Sequence, residues 1–234
     1  MSKKTGMIAH RGLSGIYPDN TEIAFLKAAA NGSDGAETDV RITSDGEFVL
    51  CHNPEAVFAD GTELTVEQNT LARLTEKPLK NSKTDDTVYL CTLKRYLEIM
   101  RENDMICFIE LKGDYTRGQI KEVYDLIARE YSLDRCIIQS FEFGNLLLSR
   151  EYVPGIPIML THGSGEAHLG YERCFDGNFS IDAEYSLADE KMVEDFHARG
   201  LEVAVWTVND RQVLEKMKAL GVDYIESDYF GNEQ

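Results

Sequence analysis

Eight short apolar runs alternate with helical patterns along this chain, and that alternation constrains the fold more than any other feature. The strand candidates are 6–10, 36–42, 105–111, 136–141, 156–160, 179–184, 201–208 and 222–227. Helical patterns occupy 21–31, 92–103, 117–131, 142–151, 188–199 and 210–220. In the last of these, Val213, Leu214, Met217 and Leu220 recur at helical spacing. Asn209 or Asp210 stands where an N-cap belongs, and Gly221 where a C-cap glycine belongs; Arg199-Gly200 closes the preceding helix in the same way. Parallel strands need crossover connections, and eight strand–helix units predict an α/β fold of the TIM (β/α)8 barrel type. The 234 residues suit one such barrel, read as a single domain over 1–234. Two stretches break the rhythm. Segment 161–178 is rich in Gly and His and shows no firm helix. Segment 53–90 is polar, weakly periodic and too long for an ordinary loop, so it reads as a small insertion after the second strand, packed over one end of the barrel.

A hydrophobic content of 43% supports a full core without staples. No apolar run approaches the ~18 residues of a membrane span. The N-terminal MSKKTGMIAH has neither the apolar stretch nor the cleavage site of a signal peptide. Five cysteines (51, 91, 107, 136, 174) lack CxxC spacing, and the odd count predicts reduced thiols and a cytoplasmic location. Cys107 and Cys136 lie in apolar runs and are expected to pack as small hydrophobes. The net charge of −17 argues against nucleic acid as a partner and against docking on anionic membranes. An anionic small molecule would need a local basic patch, for which Arg11 and Lys112 are the candidates.

Chemistry-bearing residues gather at the ends of the apolar runs. His10 ends the first strand and Arg11 follows it. Glu37 and Asp39 are two apart on a strand, so they share a face. Glu110 and Lys112 repeat that spacing, and His52 ends the run EFVLCH. In barrels of this type the carboxyl ends of the strands form the site, so these groups converge at one mouth. Three carboxylates together repel unless a cation sits among them, and hard oxygen donors favour Mg²⁺ or Ca²⁺. The alternative is a salt-bridge cluster with Lys112, Arg41 or Arg11. His10 and His52 titrate near neutrality, as a general acid–base pair must. Arg11 is suited to bidentate contact with a phosphate oxygen, and Lys112 adds a point charge. These are the parts of a metal-assisted phosphodiester hydrolysis site. Trp206 is either an apolar wall for the substrate's alcohol portion or core. His162, after IPIML, is a further candidate for the mouth, whereas His197 reads as helix surface. Pro18-Asp19-Asn20-Thr21 reads as a turn with Asn20 or Thr21 capping a helix.

At these residues the chain resembles the glycerophosphodiester phosphodiesterase family. The matching pieces are HRG (10–12), PDNT with the following AF (18–25), GAETDV (35–40), T-S-DG (43–46), the His52 segment, IELK (109–112), QSF (139–141), WTVN (206–209) and GVDYIESD (221–228), in the family's order over nearly the whole chain. The resemblance implies a TIM barrel with an insertion after the second strand. It implies His10 and His52 as the acid/base pair, Glu37, Asp39 and Glu110 as ligands of one divalent cation, and Arg11 and Lys112 at the phosphate. It implies cleavage of a glycerophosphodiester to glycerol 3-phosphate and an alcohol. One position departs: the family usually has Asp after the second histidine, and here it is Asn53. Asn keeps shape and hydrogen bonding but loses charge, which predicts a lower pKa for His52. Competing readings are a catalytically weak barrel that binds phosphorylated metabolites, a sugar-phosphate lyase or aldolase, and lysophospholipase D-like activity with the insertion supplying an acyl groove.

Overall fold

The computed structural model describes residues 4–232. Residues 1–3, which begin the run tested for a leader, lie outside it. The barrel strands are β1 (Gly6–Ala9), β2 (Gly35–Ile42), β6 (Ile106–Leu111), β7 (Cys136–Ser140), β8 (Ile158–His162), β9 (Ser180–Glu184), β10 (Val203–Trp206) and β11 (Tyr224–Ser227). They pair in parallel, each with the next, and β11 closes the ring on β1 with Ile8 beside Glu226. Outside the ring, β3 (Phe48–Leu50) runs antiparallel to β2, with Leu50 opposite Val40. The connecting helices are α1 (Glu22–Ala30), α3 (Leu93–Glu102), α4 (Arg117–Glu130), α5 (Phe143–Tyr152), α7 (Glu190–His197) and α8 (Arg211–Leu220).

Alternation along each strand sorts residues between two cores. One face packs on the helices: Ala36, Val40, Cys107, Ile109 and Ile138 meet Phe25, Tyr96, Leu97 and Val123 on one side of the barrel. On the other side Ile158, Ile181, Val203 and Ile225 meet Phe196, Leu214 and Met217. Each such aliphatic or aromatic side chain contributes about 1.5–3 kcal/mol on burial. The opposite face fills the barrel interior with Ile8, Phe108, Ile137, Met159 and Ala204. Two residues further up the same strands the interior turns polar, to His10, Glu110, Gln139, Thr161 and Trp206. The apolar layer closes the barrel from below, so the polar layer opens only at the C-terminal mouth.

Helix starts follow the caps. Thr21, Thr92, Thr116, Asp189 and Asp210 each accept a hydrogen bond from a first-turn N–H, and Thr116 with Gln119 forms a full capping box. Of the alternatives in the sequence, Thr21 rather than Asn20 and Asp210 rather than Asn209 are the caps, which leaves both asparagines for the site. Gly221 takes the left-handed C-cap conformation at φ 87°.

Three segments differ from expectation. Strand β8 starts at Ile158, not 156, because Pro157 has no N–H for the ladder; the shift brings Thr161 and His162 into the strand. Beyond those two strand residues, segment 161–178 holds only a 3₁₀ turn at Ala167–Leu169 and the single-turn helix α6 (Arg173–Asp176). The insertion follows β3 and is more ordered than its composition suggests. It contains an antiparallel pair, β4 (Glu55–Val57) with β5 (Glu63–Thr65), and the one-turn helix α2 (Leu71–Leu74). Val49 of β3 joins Ala56, Phe58, Val66, Leu74 and Leu90 in its small core. All five cysteines are free, and Cys107 and Cys136 are buried register partners. Among the described residues no helix is long and apolar enough to cross a membrane.

Candidate active site

A cavity of about 70 Å³ opens at the C-terminal mouth. His10, Arg11, Glu37, His52, Glu110, Lys112 and Trp206 all line it. Asp39, fully buried, lies behind this lining and contacts it through Arg11 and Lys112. The eight site residues expected from sequence therefore come together. His162 does not join them: in β8 it is Thr161 that faces the cavity, and alternation sends His162 to the other side, beside Arg173 and Glu166. A second cleft, of about 200 Å³, shares Arg11 and His52 with the cavity and runs outward between the barrel and the insertion, past Asn53, Glu55 and Lys80.

The loop after β1 is shaped by close packing. Gly12 has φ 78°, and a Cβ there would meet the Ala24 backbone of α1 at 2.7 Å. Arg11 also has positive φ, 56°, and its N–H donates to Glu37 Oε2 at 2.9 Å. A strained non-glycine φ costs on the order of 1–3 kcal/mol, and the carboxylate bond offsets part of it. Asn20 donates to Asp39 Oδ2 at 2.8 Å, while its Oδ1 accepts from Thr38 Oγ1 at 2.7 Å and from the Asp39 N–H at 3.2 Å. Two buried tyrosines of the outer layer hold β2 from behind: Tyr96 donates to the Ala36 carbonyl at 2.6 Å and Tyr115 to the Val40 carbonyl at 2.9 Å.

Asp39 is the electrostatic centre. Arg11 Nε stands 3.1 Å from Oδ2 and Lys112 Nζ 3.1 Å from Oδ1. Burial works against its charge, but Lys112 and Arg11 outweigh that and hold the carboxyl below its ordinary range. Lys112 also donates to Glu110 at 2.8 Å, yet burial, helped by the nearby Asp39, pushes Glu110 up to about 7. Glu37 is pushed well above its ordinary value by burial, then by Asp39 and Glu226. Its Oε1 is buried without a partner. Oxygens of Glu37, Asp39 and Glu110 lie within 4.8 Å of one another, as do donor atoms of His10, Glu37 and Glu226. An all-oxygen group with an unpartnered buried acceptor is the donor set that a hard divalent cation takes.

The two imidazoles are oriented differently. His10 Nδ1 donates to Asp228 Oδ1 at 2.8 Å, and Asp228 is held further by Ser14 Oγ at 2.8 Å and Asn209 Nδ2 at 2.6 Å. Burial opposes the Asp228 charge, but these hydrogen bonds bring its pKa down to about 2. His52 Nδ1 donates to the Asn53 amide oxygen at 3.0 Å. Its pKa is lowered, as expected from sequence, but for a different reason: burial is the main cause, Arg11 and Lys112 add to it, Asp39 opposes, and the Asn53 bond itself raises it.

Of the three basic residues named for a salt-bridge cluster, Lys112 and Arg11 pair with the site carboxylates and Arg41 does not. Arg41 instead donates to the carbonyls of Cys51 at 3.1 Å and His52 at 2.8 Å and pairs with Glu67 at 2.8 Å. It thus ties the His52 loop and the insertion to β2. Trp206 stands at the cavity wall, its indole N–H donating to the Asp182 carbonyl at 3.1 Å and its ring meeting Phe141 edge-on at 5.9 Å.

Sequence reasoning read Asn20 only as a possible helix cap and left Asp182, Glu226 and Asp228 without roles. The i, i+2 rule that found Glu37 with Asp39 also marks Glu226 at the end of the eighth strand, Asp228 just past it, and Asp182 on the sixth. Asn20 had no such signal, since its partners are set by the meeting of two loops.

Comparison with known proteins agrees with this architecture. A glycerophosphodiester phosphodiesterase of Caldanaerobacter subterraneus subsp. tengcongensis is 29% identical over 229 residues, covering 96% of this chain and 94% of the relative. One from Bacillus altitudinis is 28% identical over 232 residues, covering 96% and 95%. The fold matches that of an Oleispira antarctica phosphodiesterase solved in complex with the product sn-glycerol-3-phosphate, with a TM-score of 0.86 at 23% identity over 97% of this chain and 94% of that one. The model of the glycerophosphoryl diester phosphodiesterase family matches residues 10–232. This chain, a (β/α)8 barrel with its polar layer at the C-terminal mouth, belongs to the glycerophosphoryl diester phosphodiesterase family.

Proposed function

We propose that this chain hydrolyses glycerophosphodiesters to glycerol 3-phosphate and an alcohol, with one divalent cation, Mg²⁺ or Ca²⁺, and with His10 and His52 exchanging the protons. The observation that carries this reading is the convergence of two oriented imidazoles, three carboxylates, Arg11 and Lys112 on one small cavity. Relatives named for that activity support it. The reading treats 1–234 as one barrel domain with 53–90 as its insertion. Free thiols suit a reducing compartment, and we place the protein in the cytoplasm.

Glu37, Asp39 and Glu110 would hold the cation, which when bound supplies positive charge to the phosphoryl oxygens. Without it, burial favours the neutral form of Glu37 and holds Glu110 up to about 7. A bound divalent ion would favour the ionised form of both, and three carboxylates, Arg11, Lys112 and the ion would then leave one net positive charge, matching the diester's single negative one. Arg11 and Lys112 bind the phosphoryl oxygens and orient the diester. His52, with Nδ1–H engaged by Asn53 and its pKa lowered, is neutral and accepts a proton at Nε2 from the nucleophile, either water or the adjacent glycerol hydroxyl; the hydroxyl route gives a cyclic phosphate, which water then opens with the two imidazoles in reversed roles. His10, oriented by its Nδ1 contact with the Asp228 carboxylate at 2.8 Å, gives its Nε2 proton to the departing alcohol. Trp206 forms an apolar wall against the substrate.

The test is release of glycerol 3-phosphate from glycerophosphocholine and glycerophosphoethanolamine, in EDTA and after return of Mg²⁺ or Ca²⁺. Release restored by metal is expected. A folded protein that releases none with either metal would favour the phosphometabolite-binding reading instead.

A further inference from the structure

Glu37, Asp39 and Arg41 occupy every second position of β2, so they share a face of the strand. The two carboxylates serve the cation cluster, and Arg41 stands beyond them toward the strand's end. There its guanidinium uses all three nitrogens: Nε donates to the Cys51 carbonyl at 3.1 Å, Nη2 to the His52 carbonyl at 2.8 Å and Nη1 to Glu67 at 2.8 Å. Its side chain is only 12% exposed, so water competes little for these bonds.

The backbone that Arg41 grips has few other anchors among the described residues. The β2–β3 ladder ends where the Cys51 N–H donates to the Asp39 carbonyl at 3.0 Å. Residues 52–54 form a bend outside any strand, and Pro54 has no N–H with which to resume pairing. The His52 imidazole meets Asn53, but Asn53 is an exposed member of the same bend and moves with it. His52 also has open space on two sides, since it lines both the catalytic cavity and the cleft toward the insertion. A proton acceptor in such surroundings keeps its place only if its main chain is fixed. Arg41 supplies that fixed point from a barrel strand. Glu67, which aims the guanidinium, stands in the insertion's 3₁₀ turn Val66–Gln68, and the Val66 N–H holds the other end of the bend through the Pro54 carbonyl at 2.8 Å.

We infer that Arg41 is a positioning residue for the reaction: its fork on the Cys51 and His52 carbonyls holds the His52 imidazole at the cavity, and the insertion aims that fork through Glu67. The inference rests on the reading of His52 as general base given above. Arg41 pairs with none of the three carboxylates of the cation cluster, so its effect on the reaction passes through the His52 bend.

Release of glycerol 3-phosphate from glycerophosphocholine, with Mg²⁺ or Ca²⁺ present, tests this on Arg41→Ala and Arg41→Lys. A displacement of about 1 Å costs on the order of a hundredfold. In Arg41→Ala, kcat should fall by about ten- to a hundredfold while KM stays within about twofold, because Arg11 and Lys112 still bind the phosphoryl oxygens. Added guanidinium ion should restore part of that kcat, which a general loss of folding would not allow. Arg41→Lys keeps the charge but not the planar fork, and should retain a clear part of the defect. Hydrogen exchange of a peptide spanning 51–57 needs no turnover; it should quicken in Arg41→Ala while β7 is unchanged. A kcat within twofold of wild type in Arg41→Ala, or unaltered exchange at 51–57, would overturn the inference. Should that variant fail to fold, the same two results in Arg41→Lys decide. A wild type that releases no glycerol 3-phosphate refutes the hydrolysis reading, and the hold of Arg41 on the His52 bend is then judged by exchange alone.

Discussion

Asp228→Asn is the substitution that best separates orientation of His10 from mere burial around it. Asp228 receives three donors: His10 Nδ1 and Ser14 Oγ on one oxygen, Asn209 Nδ2 on the other. An amide has one accepting oxygen. If that oxygen stays on His10, the new NH₂ group faces Asn209 Nδ2, donor against donor. If it turns to Asn209, NH₂ meets His10 Nδ1, which must then accept, so the ring can carry its Nε2 proton only as neutral imidazole, a far weaker acid toward the departing alcohol than an imidazolium. Either way one charge-assisted hydrogen bond is lost, about 1.5–3 kcal/mol, which corresponds to about a ten- to hundredfold fall in kcat. Stability follows from linkage. The folded pKa of about 2 lies below the ordinary Asp value, so the stabilisation is full above the unfolded pKa and disappears as pH falls through the folded one. The shift corresponds to roughly 2 kcal/mol after allowance for partial exposure. Urea unfolding at pH 7 should show that loss, the gap between variant and wild type should narrow below about pH 4, and release of glycerol 3-phosphate should show the fall in kcat. A variant with kcat within twofold of wild type would refute the orienting role.

Two further outcomes follow from the same geometry. Asn53→Asp places a carboxylate where His52 Nδ1 now meets an amide oxygen at 3.0 Å; it should raise the His52 pKa and move the acidic limb of the kcat/KM profile up by about one pH unit. A limb that stays in place removes His52 as the base. Glu110, held up to about 7, binds its proton more tightly folded than unfolded, so metal-free protein should lose stability as pH rises from its unfolded value toward 7. Urea midpoints in EDTA should fall across that window and flatten in Glu110→Gln; a rising midpoint in that window, unaltered by the substitution, would contradict the burial argument.

The barrel was legible in the sequence because its information is local. Alternation along a strand and helical spacing between strands are short-range patterns, and all eight strands and six main helices lie where those patterns put them, within two residues at most boundaries. The same two-residue period brought Glu37, Asp39 and Glu110 to one mouth, with the two histidines at run ends. It also carries Glu226, Asp228 and Asp182, which show that strand periodicity held more of the site than motif-like spacing brought out. Where periodicity is absent, so was foresight. The insertion reads as polar, yet its few apolar residues meet across hairpin and turn to make a core with Val49.

What the sequence determined by itself is which residues sit on the inner face of each strand and near its carboxyl end, and hence what chemistry the mouth can hold. What only the tertiary structure decided is which of those groups touch. Asp228 reaches His10 across 218 residues of chain because the eighth strand closes on the first. Asn20 leaves the capping role to Thr21 and grips Asp39 because the β1 loop folds over β2. Arg41 turns from the carboxylates to the His52 loop because β3 brings that loop back beside it. Side-chain direction follows from backbone alternation over a few residues, whereas a hydrogen-bond partner is fixed by how distant strands and loops close around one core.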